Sequence, residues 1–324
     1  MIETDVLIIG AGPAGLYAAY YAGFRGFSAT LLDVLPEAGG QITAMYPEKV
    51  IYDVAGFPAI KGRDLIEGLM EQAGAFHPTY ILGERAESLV TTDDNGATVI
   101  TDQGTTIHAK AVVITGGIGS FTSRELPAGS EFLGKGLVNF VPRLEEHRGK
   151  DVVIVGGGDS AFDWAHSLHN IARSIKIVHR RDTFRAHAAS IELVRDLGIE
   201  LITDSEVSAI SGGDHVESVT IVNKAGESRT LIAQTVVAAL GFIANIGPIN
   251  EWTLELEKRK IVVDTHMHTN LPRIYAAGDI ATYPGKVALI SVGFGEAATA
   301  INNAVHDIDN TQGVFPGHSS GGAE

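Results

Sequence analysis

Short apolar runs that stop at glycine recur along the chain and set its organisation. Val6 to Ile9 runs directly into Gly10, Gly12 and Gly15. A stretch rich in alanine and tyrosine follows, then a second apolar run, Ser28 to Leu32, which ends at Asp33. The pattern predicts strand, glycine turn, helix and strand. From Leu35 to Pro58 glycine and proline are too frequent for a regular element, which predicts a long ordered loop carrying Gly39, Gly40, Gln41, Tyr46 and Tyr52. A helix is expected over 61–76. Residues 86–115 read as a β-meander and a return strand, with turns at Asp93-Asp94-Asn95-Gly96 and Asp102-Gln103-Gly104. The return strand, Ala111 to Thr115, ends in Gly116-Gly117.

The pattern then restarts. Asp151 to Gly158 is again a strand entering glycines, with Gly156, Gly158 and Ala161 in the three places. A helix through Trp164 and a strand from Ser174 to Val178 are expected. A second meander follows over 207–232, with turns at Ser211-Gly212-Gly213 and Lys224-Ala225-Gly226, and a return strand from Thr235 to Leu240 ends in Gly241. Spacing thus reveals a duplicated architecture although the residues differ. In the last third, Arg273 to Asp279 (RIYAAGD) is a further short strand ending in Gly-Asp, and a helix is expected over 288–306.

Each part of the repeated unit has a physical task in holding a dinucleotide. The first glycine lets the chain turn sharply out of the strand. The second lets backbone approach a pyrophosphate, and the third lets the helix pack close to the sheet with its N-terminal amides facing the phosphates. An acid about 20 residues on accepts a hydrogen bond from a ribose hydroxyl, and Asp33 meets that requirement. The two copies differ at this point. After its second strand copy two has His179-Arg180-Arg181 and then Arg185, cations suited to a 2′-phosphate. Copy one therefore reads as an FAD site and copy two as an NADPH site, a solvated strand end being the plainer reading of Arg180 and Arg181. Asp279 reads either as part of an ordinary strand-to-helix turn or, in a flavin domain, as an acceptor for the ribityl chain.

Composition narrows the choice further. At 324 residues the chain suits two domains, and 45% hydrophobic residues exclude disorder. A net charge of −15 argues against nucleic acid or anionic membrane as partners. Val6 to Phe24 carries no charge and is about long enough to span a bilayer. Four glycines and Pro13 interrupt it, however, and Glu3 and Asp5 precede it where a signal peptide needs basic residues. The expectation is a cytoplasmic protein. There are no cysteines, which excludes disulfides, thiolate metal sites and any dithiol relay. The tail from Thr311 to Glu324 has the composition of a frayed terminus, with His318 its one notable residue.

With these motifs assembled, the chain resembles the thioredoxin-reductase-like ferredoxin–NADP⁺ reductases over nearly its whole length. The resemblance is carried by IIGAGPAGL (8–16), GGQITAMYPEKVIYDVAGFP (39–58), GGGDSAFDWA (156–165), HRRDTFRAH (179–187), YAAGDIATYPGK (275–286) and GFGEA (293–297). It implies an α/β fold of two Rossmann-like three-layer dinucleotide-binding domains, the NADPH domain (118–247) inserted in the FAD domain (1–117 and 248–324) and joined to it by two hinge strands. It also implies a homodimer. Gly10, Gly12, Pro13, Ala14 and Gly15 would face the FAD pyrophosphate and Asp33 the adenosine ribose. Gly40, Gln41, Ala86, Phe121 and Asp279 would lie along the same cofactor, and Tyr46 would stack on one flavin face. His318, from the second subunit, would cover the other face, with Ser320 near the flavin. Gly156, Gly158, Asp159, Ser160, Ala161, His179, Arg180, Arg181 and Arg185 would hold NADPH.

The implied reaction needs no nucleophile, because the cofactors carry the chemistry: hydride from NADPH to flavin N5, then single electrons to ferredoxin or flavodoxin. A thioredoxin reductase would need a cysteine pair ahead of the second-domain helix, and none is present. The alternatives are an NADPH-dependent reductase of free flavin, quinone or another small acceptor, a flavin monooxygenase, and a non-catalytic sensor of the two cofactors. Ferredoxins are commonly acidic, as this chain is, so docking would need a local basic rim. Lys49, Lys61 and Arg63 are candidates for it, ordinary solvated charge being the other reading.

Overall fold

The computed structural model describes residues 1–92, 96–315 and 317. The chain divides into two compact units: Met1–Ala44, Val50–Ser120 and the chain from Ala244 onward form the first, and Met45–Lys49 with Phe121–Ile243 form the second. The strands Ser120–Ser123 and Phe242–Asn245, in which the chain passes between units, pair as a two-stranded sheet.

In the first unit β1 (Ile2–Ile9) leads through the glycines into helix α1 (Pro13–Phe24) and β2 (Ala29–Asp33). β1 lies parallel to β2 on one side and to Thr106–Ile114 on the other. Val6, Leu7 and Ile8 are fully buried, as a strand covered on both faces requires. The strand Thr106–Ile114 does two jobs. Its first half pairs antiparallel with Ala97–Thr101 as the end of the meander, and its second half pairs parallel with Ile274–Ala276. The meander and the return strand expected from the sequence therefore share one nine-residue strand. The expected turn at 93–95 lies outside the described residues.

The stretch 35–58 is more regular than its composition suggests. Gly39 and Gly40 take φ of +112° and +59°, which turns the chain into a short helix α2 (Gln41–Met45). That helix buries Ile42 and Met45, so tertiary burial supplies what length cannot. Val50–Ile51 then pairs with Ile60–Lys61, ahead of helix α3 (Gly62–Gly74).

The second unit repeats the plan. Asp151–Val155 runs into Gly156–Gly158, helix α4 (Asp159–Leu168) and Ser174–Val178. Helix α5 (Ala188–Asp196) and the strand Glu200–Ile202 follow. The parallel sheet orders these strands with Thr235–Ala238 and Leu137–Val138, and a separate antiparallel sheet is made of Ser205–Gly212, Val216–Asn223 and Ser228–Ile232. Side-chain alternation along the parallel strands divides the core in two. Val152, Ile154 and Val237 pack with Phe162, Trp164 and Leu168 of α4. Val153, Val155 and Val236 pack with Val207, Val219 and Leu231 of the antiparallel sheet. Three layers result. The last helix, α6 (Ile290–Ile308), returns to the first unit and packs on α1. Among the described residues no helix is long and apolar enough to cross a membrane.

Candidate functional site

The first glycine turn is held by contacts that leave no room for side chains beneath it and ample room above. Gly10 has φ +113°, and a Cβ on it would lie 2.5 Å from the Thr115 carbonyl oxygen. A Cβ on Gly15 would lie 1.8 Å from the carbonyl oxygen of Gly10. Thr115, which the sequence reading left without a role, closes the underside: its hydroxyl donates to Gly10 O at 2.7 Å. Gly12 is different. A Cβ there would meet nothing nearer than Gly40 Cα at 3.9 Å, so the chain itself does not demand glycine.

Gly12 also caps α1 with no side-chain hydrogen bond, and the helix has no acid in its first turn. Pro13 has no N–H, and Leu16 N already bonds Gly12 O. The amides of Ala14 and Gly15 are left at the helix N-terminus, an arrangement suited to an anion. Gly40 and Gly278 approach the same turn. A Cβ on Gly40 would lie 3.0 Å from Gly12 Cα, and one on Gly278 would lie 3.3 Å from Ala14 Cβ. Gln41 Nε2 lies 3.1 Å from where Gly117 would carry a Cβ. These residues form one backbone-lined cradle.

Asp33 anchors its rim. Its Oδ2 accepts from Ala11 N at 2.6 Å and its Oδ1 from Leu35 N at 2.9 Å. Burial pushes its carboxyl pKa up, against the backbone hydrogen bonds from Leu35, Ala11 and Val34, which favour the charged form. Three backbone donors occupy three of the four lone-pair positions of the carboxylate and leave one for a hydroxyl donor. Ala86 is buried at the start of Ala86–Thr91, and Phe121 lies in the strand Ser120–Ser123.

Asp279 sits in the short 3₁₀ turn Gly278–Ile280, which a buried network fastens to α6. Glu296 Oε2 accepts from Gly278 N at 2.8 Å, and its Oε1 accepts from the Tyr283 hydroxyl at 2.6 Å. Lys286 pairs with both carboxylate oxygens, and both side chains are nearly inaccessible. Burial, the Glu296 hydrogen bond and its charge push the Tyr283 hydroxyl up to about 12. Lys286 and Glu296 lie in the YPGK and GFGEA motifs, so their presence was legible and their partnership was not. Arg25 is another residue that pattern reasoning missed. Its buried guanidinium donates to the Asn302 side chain and to the carbonyls of Gly313 (2.9 Å) and Val314 (3.2 Å), tying the last described segment to α1 and α6. His318 and Ser320 lie outside the described residues.

In the second unit Gly156 approaches backbone, a Cβ there lying 2.4 Å from Ala239 O, while Gly158 has nothing within 4 Å. Ala161, in the third place, is fully buried. The segment after Ser174–Val178 folds back over this turn. Arg185 N donates to Gly157 O at 2.7 Å, and His187 donates from its backbone N (2.9 Å) and from its Nδ1 (2.8 Å) to Asp159 Oδ1. Burial alone would raise the Asp159 carboxyl, but the two His187 hydrogen bonds and the charge of Lys49 carry it below its usual range.

The His179 ring stacks on Phe184 at 5.3 Å. Burial lowers the pKa of His179; the hydrogen bond to the Thr183 carbonyl opposes this, and the charges of Arg180, Arg181 and Arg185 add to the lowering. The three exposed guanidinium groups therefore act on one place, and among the described residues none has a carboxylate partner. Ser160 is exposed in the first turn of α4. The segment Met45–Lys49 groups with this unit. Tyr46 packs against its core beside α4, and Lys49 pairs with Asp163 at 2.5 Å. Lys49, one of the candidate rim cations, is thus a paired charge and not a solvated one standing alone.

Residues 4–304 match the family model of the pyridine nucleotide-disulphide oxidoreductases. A ferredoxin–NADP reductase of a Nocardioides strain is 59% identical, over 99% of this chain and 98% of its own. The ferredoxin–NADP reductase of Thermus thermophilus is 49% identical, over 98% and 97%. Among solved structures, thioredoxin reductase of T. acidophilum superposes with a TM-score of 0.78 at 27% identity, over 96% of this chain and 99% of that one. With no cysteine to form a disulphide relay, and with near-full-length likeness to these reductases, the chain belongs to the pyridine nucleotide-disulphide oxidoreductases and, within them, to the thioredoxin-reductase-like ferredoxin–NADP⁺ reductases.

Proposed function

We propose that the protein moves electrons between NADPH and ferredoxin or flavodoxin through FAD, with FAD held by a domain of residues 1–117 and 248–324 and NADPH by the domain 118–247 inserted in it. The observation that carries this reading is the contrast at the ends of the paired second strands: Asp33 in one unit, and Arg180, Arg181 and Arg185 in the other. The names of the relatives support ferredoxin as the acceptor. Bound FAD supplies the conversion of a two-electron donor to one-electron steps.

The chain's own residues bind and orient. The uncapped amides of Ala14 and Gly15 take the FAD pyrophosphate, with Gly10, Gly12, Pro13 and Gly40 keeping the approach clear. Asp33 accepts the adenosine ribose hydroxyl, and Asp279 accepts from the ribityl chain, its turn fixed by Glu296 and Lys286. Gln41, Ala86 and Phe121 line the same cofactor, and Tyr46 supplies a ring for the flavin. Gly156 and Gly158 clear the way for the NADPH pyrophosphate over the Asp159 and Ser160 amides, with Ala161 closing the helix onto the strand. Arg180, Arg181 and Arg185 take the 2′-phosphate beside His179. The protein acts as a cytoplasmic homodimer in which His318 and Ser320 of one chain reach the flavin of the other.

Anaerobic stopped-flow mixing tests this. NADPH should bleach the yellow protein, and oxidised ferredoxin should then restore its colour while becoming reduced. Bleaching without transfer to ferredoxin or flavodoxin would remove the carrier assignment and leave a small-molecule acceptor.

A further inference from the structure

The loop Asp264–His268, in the first unit, gathers a donor set that the electron-transfer reading does not use. Asp264, His266 and His268 each offer a ligand atom, and these atoms lie within 4.8 Å of one another. We propose that they form a surface site for one first-row transition-metal dication, Zn²⁺ being the best match to two imidazoles and a carboxylate.

Three observations carry this. The first is spacing. Asp264 Oδ2 lies 3.5 Å from His266 Nδ1 and 3.4 Å from His268 Nδ1. With metal–ligand bonds of about 2.1 Å, the edge of a tetrahedron is about 3.4 Å, which matches the two Asp264–histidine edges. The third edge, within 4.8 Å, needs at most a small rotation of the exposed His266 ring to close on one ion.

The second is preorganisation. Asp264 Oδ1 accepts the backbone N–H of His266 at 2.8 Å and of His268 at 2.9 Å, which fixes the carboxylate and leaves Oδ2 for a ligand. Between the histidines, Met267 is buried and takes φ +67°, a conformation few side-chain-bearing residues adopt, and the flanking rings stand 5.7 Å apart.

The third is the outer shell. His268 Nε2 lies 2.9 Å from Asp307 Oδ2, near the end of α6, and that oxygen also accepts the hydroxyl proton of the fully buried Tyr275. In the metal-free chain His268 Nδ1 faces Asp264 Oδ2 at 3.4 Å as a hydrogen-bond donor. With the Nε2 proton held by Asp307, it is the Nδ1 proton that an incoming ion would displace, leaving that lone pair as the ligand. This is the carboxylate–histidine arrangement that orients metal-bound imidazoles. Asp307 lies eleven residues beyond Glu296, about 16 Å along the helix, so the site is separate from the network that fastens the Asp279 turn. Three protein donors leave the fourth position to water. The ion would join the loop to α6 as a staple.

The test uses the untagged full-length flavoprotein after chelator treatment, titrated with ZnCl₂ by calorimetry and with Co²⁺ by visible absorption. One saturable Zn²⁺ per chain is expected. His266→Ala and His268→Ala should each weaken it at least tenfold, and Asp307→Asn, in the outer shell, about tenfold. Co²⁺ should give the intense bands of a four-coordinate ion, with unchanged flavin absorbance in every variant as the check on folding. Zn²⁺ binding no tighter to the wild-type chain than to a His266→Ala/His268→Ala double variant would overturn the proposal, because other histidines among the 12 would then account for it. A Co²⁺ spectrum like that of the aqueous ion would overturn it too.

Discussion

The two glycine turns share a plan and are secured by opposite means. In the first, the acid is inside the turn: Asp33 accepts from Ala11 and Leu35, and the third glycine has no space for a methyl group. In the second, the acid stands outside: Asp159 is exposed and accepts from His187, and an alanine already fills the third place. The room of one methyl group separates helix from strand in the second copy, and direct backbone contact closes the first. A buried lock suits a cofactor that stays, and an exposed polar clasp suits one that exchanges. The comparison teaches that a shared spacing of glycines does not imply a shared tolerance to substitution.

The largest expected effect tests that difference directly. Gly15→Ala places a methyl carbon 1.8 Å from the Gly10 carbonyl oxygen, so the variant should be purified without flavin or fail to fold. A yellow Gly15→Ala protein of normal melting temperature would break the comparison. Next, Lys286→Met leaves Glu296 buried with its charge unpaired beside the Asp279 turn. The loss should be about 3–5 kcal/mol in denaturant unfolding, accompanied by weaker FAD retention. A loss near zero would mean that the turn is not held through Glu296.

A smaller effect falls on the exposed side. Arg180→Ala with Arg181→Ala should lower the preference for NADPH over NADH roughly 10- to 150-fold, the worth of about 1.5–3 kcal/mol in charged hydrogen bonding. Steady-state ratios for the two nucleotides measure it, and an unchanged ratio would move the 2′-phosphate elsewhere. Ala161→Gly, the reverse of the first substitution, should cost only about 1 kcal/mol of helix preference and leave flavin in place.

The smallest effect is one of pH. The Asp159 hydrogen bond and charge raise the pKa of His187 above its ordinary 6.5. The ion pair therefore adds stability that is fully present below that ordinary value and fades as pH rises through the raised one. An NMR titration should place His187 above 6.5, and Asp159→Asn should return it toward that value. No difference between the two titrations would remove the clasp.

Much of this molecule follows from local rules. Val6–Ile9 and Asp151–Val155 could only be buried strands, because nothing in them is polar enough to face water except at their ends. The glycines after them mark turns for steric reasons that act within a few residues. The helices at 61–76 and 288–306 were legible, with bounds that the structure moves to Gly62–Gly74 and Ile290–Ile308. Helix α2 was not, since five residues carry too weak a period and Gly39-Gly40 reads as a break. Lys49 illustrates the same limit for charge: from sequence it reads either as a rim cation or as a solvated charge, and its partner Asp163 is 114 positions away.

The sequence by itself determined the duplication, the carboxylate acceptor after one second strand against the guanidinium donors after the other, and the absence of a thiol relay. These depend on residue types and on spacing within one strand–turn–helix unit. The tertiary structure alone decided that Thr115 closes the first turn, that Glu296 and Lys286 fasten Asp279, and that Asp307 reaches His268. Each of these joins residues from separate elements. No local periodicity encodes such pairs, because their distance is set by how strands and helices pack and not by their separation along the chain.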